Sequence, residues 1–353
     1  MEKMTSTQLS DKLMPDHRHE KYVEDLYTVF FRRIPRMEEK SHWIAMLEEG
    51  MSERDVFDRF KFSKEYELKT RVDLTFPPGH YYSPIVDPGE ARKYWRVDRR
   101  VAPEKLMAIH ISMERMLDLW EKLRPFVAST NFPMEREPRS RFYQNNNIYP
   151  IGDAAILRSM ILLNRPRKII EIGSGFSSAC MLDTLDEADM GGIELTFVEP
   201  YPDRLRGLLR PSDYRRCKIV EQPLQELDVE IFCKLERNDI LFIDSTHIMK
   251  TTSDVNFELF EIMPRLKSGV IVHFHDIHYP FEYPDKWVFD LNYSWNEIYA
   301  LRAFLMYNSA FEIVYFSSLF ATRNAQLIAD ACPAILENPG ASLWLRKCDE
   351  AES

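Results

Sequence analysis

The 353-residue chain has five cysteines, Cys180, Cys217, Cys233, Cys332 and Cys348. Their number is odd, they lie far apart, and no C-x-x-C occurs. That argues against a disulfide framework and a structural zinc site, and leaves reduced thiols in a cytoplasmic protein as the expectation. No apolar run is long enough to span a bilayer. Residues 1–19 are polar, lack the apolar centre of a secretory signal, and read as a loose tail. Positive charge is in deficit, with a formal net charge of −10. Nucleic acid and an anionic membrane both reward a basic face, so neither is expected as the main partner. There is no internal repeat and no low-complexity tract. Apolar residues are spread through the chain, enough for one large domain and a smaller one.

What is present is organised around Lys168–Ser178, Lys-Ile-Ile-Glu-Ile-Gly-Ser-Gly-Phe-Ser-Ser. The β-branched run predicts a buried strand. Gly173 and Gly175 predict a turn, and Phe176–Leu185 a helix with Ser177 and Ser178 as cap-type residues. Such a turn lets backbone approach a ligand without a Cβ in the way, while helix-start N–H groups bond it. Glu171 precedes the turn. Glu199 ends the next apolar run, Ile193–Val198, at a spacing suited to holding both hydroxyls of a ribose. The third glycine of the dinucleotide fingerprint would fall at Ser178, so the loop suits a pyrophosphate poorly.

The pattern E-x-G-x-G-x-S-S, followed by an acid at the end of the second strand, resembles motif I and its partner in class I S-adenosylmethionine-dependent methyltransferases. That resemblance implies an α/β, Rossmann-like, seven-stranded sheet and S-adenosylmethionine as cofactor. The predicted strands are Lys168–Ile172, Ile193–Glu199, Lys218–Glu221, Ile240–Asp244, Val270–His275 and Phe311–Phe316, with Ser342–Arg346 as an antiparallel edge. Helices are expected at Pro202–Leu209, Leu224–Leu235, Asp254–Arg265 and Trp295–Tyr307. The cofactor would be held by Glu171, Gly173, Ser174, Gly175, Ser177, Glu199, Pro200, Gln222, Pro223, Leu224 and Asp244.

Ligands of open parallel sheets lie beyond the carboxyl ends of the strands. Asp244, His247, Asp276 and His278 cluster at those ends and are the candidate catalytic residues. An oxygen nucleophile must lose a proton to a base or under a Lewis-acidic metal. Metal-dependent O-methyltransferases carry acidic ligands at the positions of Asp244 and Asp276, which makes these two the candidate ligands of a divalent ion such as Mg²⁺. Ile277 departs from that pattern, since an acid or Asn usually follows, and metal-free base catalysis by a histidine stays open. His273, sharing a strand face with His275, is read as a satisfied core histidine. Ser245, Thr246, Lys250, Thr251, Ser253 and Asp254 are read as loop-shaping and capping residues. The segment before motif I forms one wall of the site in such enzymes, so Tyr149 and Asp153 are candidates to touch cofactor or substrate, with Asp153 alternatively a helix cap. His275 and Trp287 complete the candidate substrate lining.

The stretches Phe-Ile-Asp-Ser-Thr-His, Val-His-Phe-His-Asp-Ile and Trp-Asn-Glu resemble a bacterial methyltransferase group linked to glycan or natural-product pathways. The resemblance spans roughly 76–327 and implies a glycan or small-molecule acceptor. In it, Phe281–Pro284 and Trp287 form a lid or acceptor wall.

Residues 20–72 read as a small helical module, with helices at Tyr22–Phe31, Glu38–Leu47 and Glu53–Phe62. Val56, Phe57 and Phe60 share a side of the last. Leu26-Tyr27, Arg33, Pro35, Trp43, Gly50, Ser52, Phe60, Ser63 and Glu65-Tyr66 resemble a helical domain of unknown function related to phycobilisome linker modules, with Arg32 replacing its usual glycine. Docking to a protein partner is its sharper role. Residues 73–140 read as a proline-rich connector, either a plain linker or a segment folded over the site, and an amphipathic helix, Pro103–Val127, with His110 packed on or beside its stripe. Residues 141–348 would form the catalytic domain. Two other readings stand: a nicotinamide-dependent oxidoreductase on the same sheet, and a non-catalytic scaffold with a degenerate methyltransferase fold. The oligomeric state is not legible.

Overall fold

Short runs that are apolar on both faces demand burial on both faces, and the sheet is built from such runs. The computed structural model describes residues 17–31, 33–66, 76 and 79–349. The tail up to 16, Arg32, Pro77-Pro78 and the expected 72/73 boundary lie outside the described residues. The chain forms two compact units, dividing after Ser83.

In the first unit, α1 (His17–Phe31), α2 (Met37–Glu48) and α3 (Glu53–Lys61) bury Val23, Leu26, Tyr27, Phe30, Val56 and Phe60. Ser52 caps α3 by accepting the Asp55 N–H at 3.1 Å. Ser63 accepts the Tyr66 N–H in the same way. Arg33 forks onto Glu39 and Glu65. Phe57, expected beside Val56 and Phe60, is 41% exposed and only edges onto Phe30.

The second unit continues with α4 (Pro88–Tyr94), α5 (Met113–Ala128), α6 (Ile151–Asn164), α7 (Phe176–Glu187), α8 (Asp203–Leu208), α9 (Glu230–Cys233), α10 (Asp254–Phe257), α11 (Glu297–Leu305), α12 (Ser317–Arg323) and α13 (Ala325–Ala331). Its strands are β1 (Lys168–Ile172), β2 (Glu194–Val198), β3 (Cys217–Val220), β4 (Ile240–Ile243), β5 (Ile271–Phe274), β6 (Phe311–Phe316) and β7 (Leu343–Lys347). They order as β3-β2-β1-β4-β5-β7-β6. β1 to β5 are parallel, and β7 runs antiparallel to both β5 and β6. This matches the seven-stranded, Rossmann-like α/β sheet that the class I methyltransferase resemblance implies. The order reverses between β1 and β4, which places the ligand-binding crevice at their exits.

The expectations for β7, for two helices and for His110 are corrected. β7 is not an edge strand: Leu343, Trp344 and Leu345 are fully buried, so it lies between β5 and β6 and leaves β6 at the edge. The helix expected over Pro103–Val127 is interrupted. A turn at Pro103–Lys105 gives way to irregular chain with Ala108 at φ 64°, and Ser112 then caps α5 by accepting the Arg115 N–H. His110 falls in that irregular stretch and is exposed, not packed. The helix expected over Leu224–Leu235 is only a turn, Leu224–Glu226, and the short α9. Because α5 packs on α6 and β6, the segment from Pro84 to 140 belongs with the sheet.

Candidate functional site

Gly173 leaves β1 at φ 76°, a conformation that favours glycine. A Cβ there would lie 1.7 Å from the Asp244 carbonyl oxygen, so the exits of β1 and β4 meet backbone to backbone. Beyond them, Glu199 leaves β2 and is fixed by the loop it faces. Its Oε2 accepts the Ser174 N–H at 3.1 Å and its Oε1 accepts the Tyr201 N–H at 2.8 Å. Each oxygen keeps a further lone pair for a ligand hydroxyl. A cleft of about 430 Å³ opens here, lined by Gly173, Glu199, Pro200, Pro223, Leu224 and Asp244 with their neighbours. Gln222 is exposed and outside that lining. Gln225 lines the cleft in its place, tied to the Thr252 carbonyl at 2.7 Å.

Glu171 departs from the expectation of cofactor contact. It is fully buried beneath the loop and accepts the hydroxyls of Ser177 and Ser178. Ser177 is likewise buried and faces inward, and Gly175 N–H donates to Ser178 Oγ. These groups shape the loop from below. Burial pushes the Glu171 carboxyl up to about 8, against the two serine hydroxyls. The folded chain therefore keeps a proton that the unfolded chain sheds near pH 4.5. Stability falls as pH rises from there to about 8, and that contribution is gone above it. Glu171→Gln should remove this part. Its thermal midpoint should fall less than the wild type's between pH 6 and 9, the difference being worth a few kcal/mol at about 1.4 kcal/mol per pH unit. Parallel midpoint-against-pH curves would refute the assignment.

Asp244, His247 and Asp276 meet at the exits of β4 and β5. Imidazole Nε2 of His247 is 3.4 Å from Asp244 and 3.5 Å from Asp276, while Nδ1 is 2.7 Å from Glu297. His247 stands at φ 59° and its carbonyl accepts the N–H groups of Asn296 and Glu297. Trp295 covers its ring at 4.5 Å. The run Trp295-Asn296-Glu297 therefore grips His247 by ring, backbone and Nδ1 together. Burial works against an imidazolium here, but Asp244 and Glu297 raise the His247 pKa well above its ordinary value. Burial also opposes the Asp244 charge, yet His275, His247 and Arg204 bring its pKa below the usual range. Asp276 is pushed up by burial, with His275 and His247 pulling the other way. One ligand atom from each of Asp244, His247 and Asp276 lies within 4.8 Å of the others. Two carboxylates and an imidazole form a donor set that could hold a divalent cation, with Glu297 fixing the ring's orientation through Nδ1.

The remaining candidates separate. His275 is buried, with Nε2 3.5 Å from Asp276 and the Tyr149 ring at 5.2 Å. Tyr149 is buried with its hydroxyl unpartnered. Asp153 is not a helix cap. It lies inside the first turn of α6, buried, accepting the Ala341 N–H. His278 is neutral, burial lowering it to about 3, and it packs edge-on to Trp287. Trp287 joins Tyr293 and Trp295 in a partly exposed aromatic group. His273 is a core residue but not a satisfied one. Both its nitrogens lack partners, and Phe242 and Trp344 enclose it. Ser253 caps α10 through the Asn256 N–H, and Thr246 bonds Asp254. Glu297 and Glu258, which lies buried beside Ser245 with one oxygen unpartnered, went unrecognised in the sequence. Glu297 is 50 positions from the residue it serves, and its only local signal is the Trp-Asn-Glu run.

Residues 170–277 match a family described as a methyltransferase domain, and residues 2–70 match a domain of unknown function. An uncharacterized protein of Archaeoglobus fulgidus is 35% identical over 174 residues, covering 48% of this chain and 77% of its own. Among solved structures, an S-adenosylhomocysteine-bound methyltransferase of Podospora anserina is 15% identical at a TM-score of 0.39, covering 68% of this chain and 91% of its own. A protein of Staphylococcus aureus described as a putative caffeoyl-CoA O-methyltransferase is 16% identical at 0.37, covering 67% and 100%. Among the described residues no helix is long and apolar enough to cross a membrane.

Proposed function

The chain belongs to the family of the Archaeoglobus fulgidus protein and carries a methyltransferase domain at residues 170–277, and on that premise we propose an S-adenosylmethionine-dependent methyltransferase acting on a hydroxyl of a sugar or small metabolite. The observation that carries this reading is Glu199, locked by Ser174 and Tyr201 at the wall of a cleft that runs on to Asp244. Such a carboxylate takes the two ribose hydroxyls, Gly173 lets the exits of β1 and β4 close up as the cleft floor, and Pro223 and Leu224 flank the base.

The sulfonium is an activated donor, so the chain's task is alignment and proton removal. A bound S-adenosylmethionine would supply the methyl group, whose bond to sulfur would break as its bond to the acceptor oxygen forms, and the hydroxyl would lose its proton. Asp276, whose carboxyl burial pushes up, accepts that proton. His247 holds Asp276 and Asp244 in place and is itself held by Glu297. A divalent ion bound by Asp244, His247 and Asp276 would supply Lewis-acid polarisation of the acceptor oxygen. Trp287, Tyr293 and Trp295 offer the acceptor an aromatic wall. For the N-terminal unit we infer a docking role toward a protein partner, supported by exposed Val29, Ile34 and Met37.

Calorimetry with S-adenosylhomocysteine, and native mass spectrometry of the purified protein for retained cofactor, test the reading. Glu199→Ala should weaken S-adenosylhomocysteine binding by about ten- to a hundredfold, the loss of two charge-assisted hydrogen bonds. Unchanged affinity would remove Glu199 from the cofactor site. Stabilisation by NAD(P)H and not by S-adenosylhomocysteine would replace the reading altogether.

A further inference from the structure

Gly175 has a neighbour that the cofactor reading leaves without a task. A Cβ built on Gly175 would lie 3.1 Å from Arg204 Cδ, 3.9 Å from Cγ and 4.0 Å from Nη1. The Arg204 side chain, rising from α8, thus occupies the space over the glycine loop that any other residue at 175 would fill. Arg204 is exposed and makes no hydrogen bond or ion pair among the described residues. The arginines around it are engaged: Arg206 pairs with Glu221, and Arg210 and Arg216 pair with Asp186. The same loop meets Asp244 at its other end, where a Cβ on Gly173 would lie 1.7 Å from the Asp244 carbonyl oxygen. An unpaired guanidinium at the Gly175 end of the loop and an acid, Asp244, at its Gly173 end fit a ligand carrying an anionic group next to a cationic one.

We propose that Arg204 binds the amino-acid carboxylate of the sulfonium-nucleoside cofactor, an assignment that rests on the cofactor reading above. The ammonium of the same amino-acid end faces Asp244. A guanidinium presents two parallel N–H groups to a carboxylate, which the point charge of lysine cannot reproduce. Arg204 is a binding residue in this scheme and takes no part in proton transfer. Arg204 stands outside the cleft lining, over the glycine loop, whereas Lys250, after β4, lines the cleft and is the competing cation.

Two ligands separate the possibilities by calorimetry on the full chain. S-adenosylhomocysteine carries the amino-acid end; 5′-methylthioadenosine has the same nucleoside and thioether without it. Arg204→Ala should weaken S-adenosylhomocysteine about tenfold, the scale of a charge-assisted pair, and leave 5′-methylthioadenosine within twofold. Arg204→Lys should recover only part of the loss. Glu199→Ala should weaken both ligands alike. The thermal midpoint of Arg204→Ala should match the wild type, since the side chain is exposed, so a lost affinity would not reflect unfolding. Unchanged S-adenosylhomocysteine binding in Arg204→Ala overturns the assignment. So does an equal loss with both ligands, or a tenfold loss in Lys250→Ala with none in Arg204→Ala. A wild type that binds neither ligand removes the cofactor reading itself, and Arg204 with it.

Discussion

Asp276→Asn should lower turnover by roughly three orders of magnitude, within the 10²- to 10⁴-fold span of a lost general base, while S-adenosylhomocysteine affinity stays within about threefold. Asparagine preserves the shape and tolerates the left-handed backbone at this position, where φ is 57°. What it removes is the negative charge facing His247 and His275, each 3.5 Å away. Without that charge the acceptor's proton has no destination, and one of three candidate ion ligands becomes a weak donor. Two measurements check this. One is release of S-adenosylhomocysteine with a competent acceptor. The other is the thermal midpoint with and without Mn²⁺, where the wild type should gain stability and the variant should not. A variant keeping more than a tenth of wild-type turnover would show that Asp276 is not the base.

The candidate site was legible wherever its residues sit next to a strand end. β1, Gly173, Glu199, Asp244 and Asp276 follow from apolar runs punctuated by glycine or acid, and the sheet brings those exits together. Burial was not legible from spacing. Glu171 has the position of a motif acid, yet its two serine partners draw it under the loop. Asp153 looked like a helix cap, but Gly340 packs against it so closely that a Cβ there would fall 2.2 Å from its carboxylate, and the Ala341 N–H claims both oxygens. Periodicity also overreached. The apolar spacing from Leu106 through Trp120 suits one helix, but a left-handed Ala108 and the Ser112 cap divide it, and His110 faces outward. Strand order was the other gap. Seven strands can be read in sequence, but the insertion of β7 between β5 and β6 depends on which runs are apolar on both faces, and Leu343–Leu345 shows this only once burial is known. Glu297 required contact across the fold.

Gly173→Ala should be the most damaging single change. Two costs combine at that position. The first is backbone conformation, φ 76°, worth about 1–2 kcal/mol for a residue with a Cβ. The second is collision, because the added carbon would lie 1.7 Å from the Asp244 carbonyl oxygen and 2.8 Å from its carbon. Main chain cannot rotate out of the way as a side chain would. Relief requires separating the ends of β1 and β4, which are held by the Asp244 N–H to the Ile172 carbonyl at 2.9 Å, while the Gly173 N–H to the Val198 carbonyl, also at 2.9 Å, ties the same exit to β2. A loss above about 4 kcal/mol is expected, in the range reserved for backbone strain and overpacking together. Cofactor binding should disappear as well, since the same shift moves Ser174 away from Glu199 and Asp244 away from His247. Gly50→Ala supplies the contrast. Gly50 stands at φ 100° with nothing within 4 Å of a Cβ, so only the conformational cost applies there. Denaturant unfolding of both variants, with S-adenosylhomocysteine calorimetry on the first, separates clash from strain. If Gly173→Ala costs no more than Gly50→Ala and still binds the nucleoside, then β1 and β4 do not meet as described, and the cleft between Glu199 and Asp244 loses its floor.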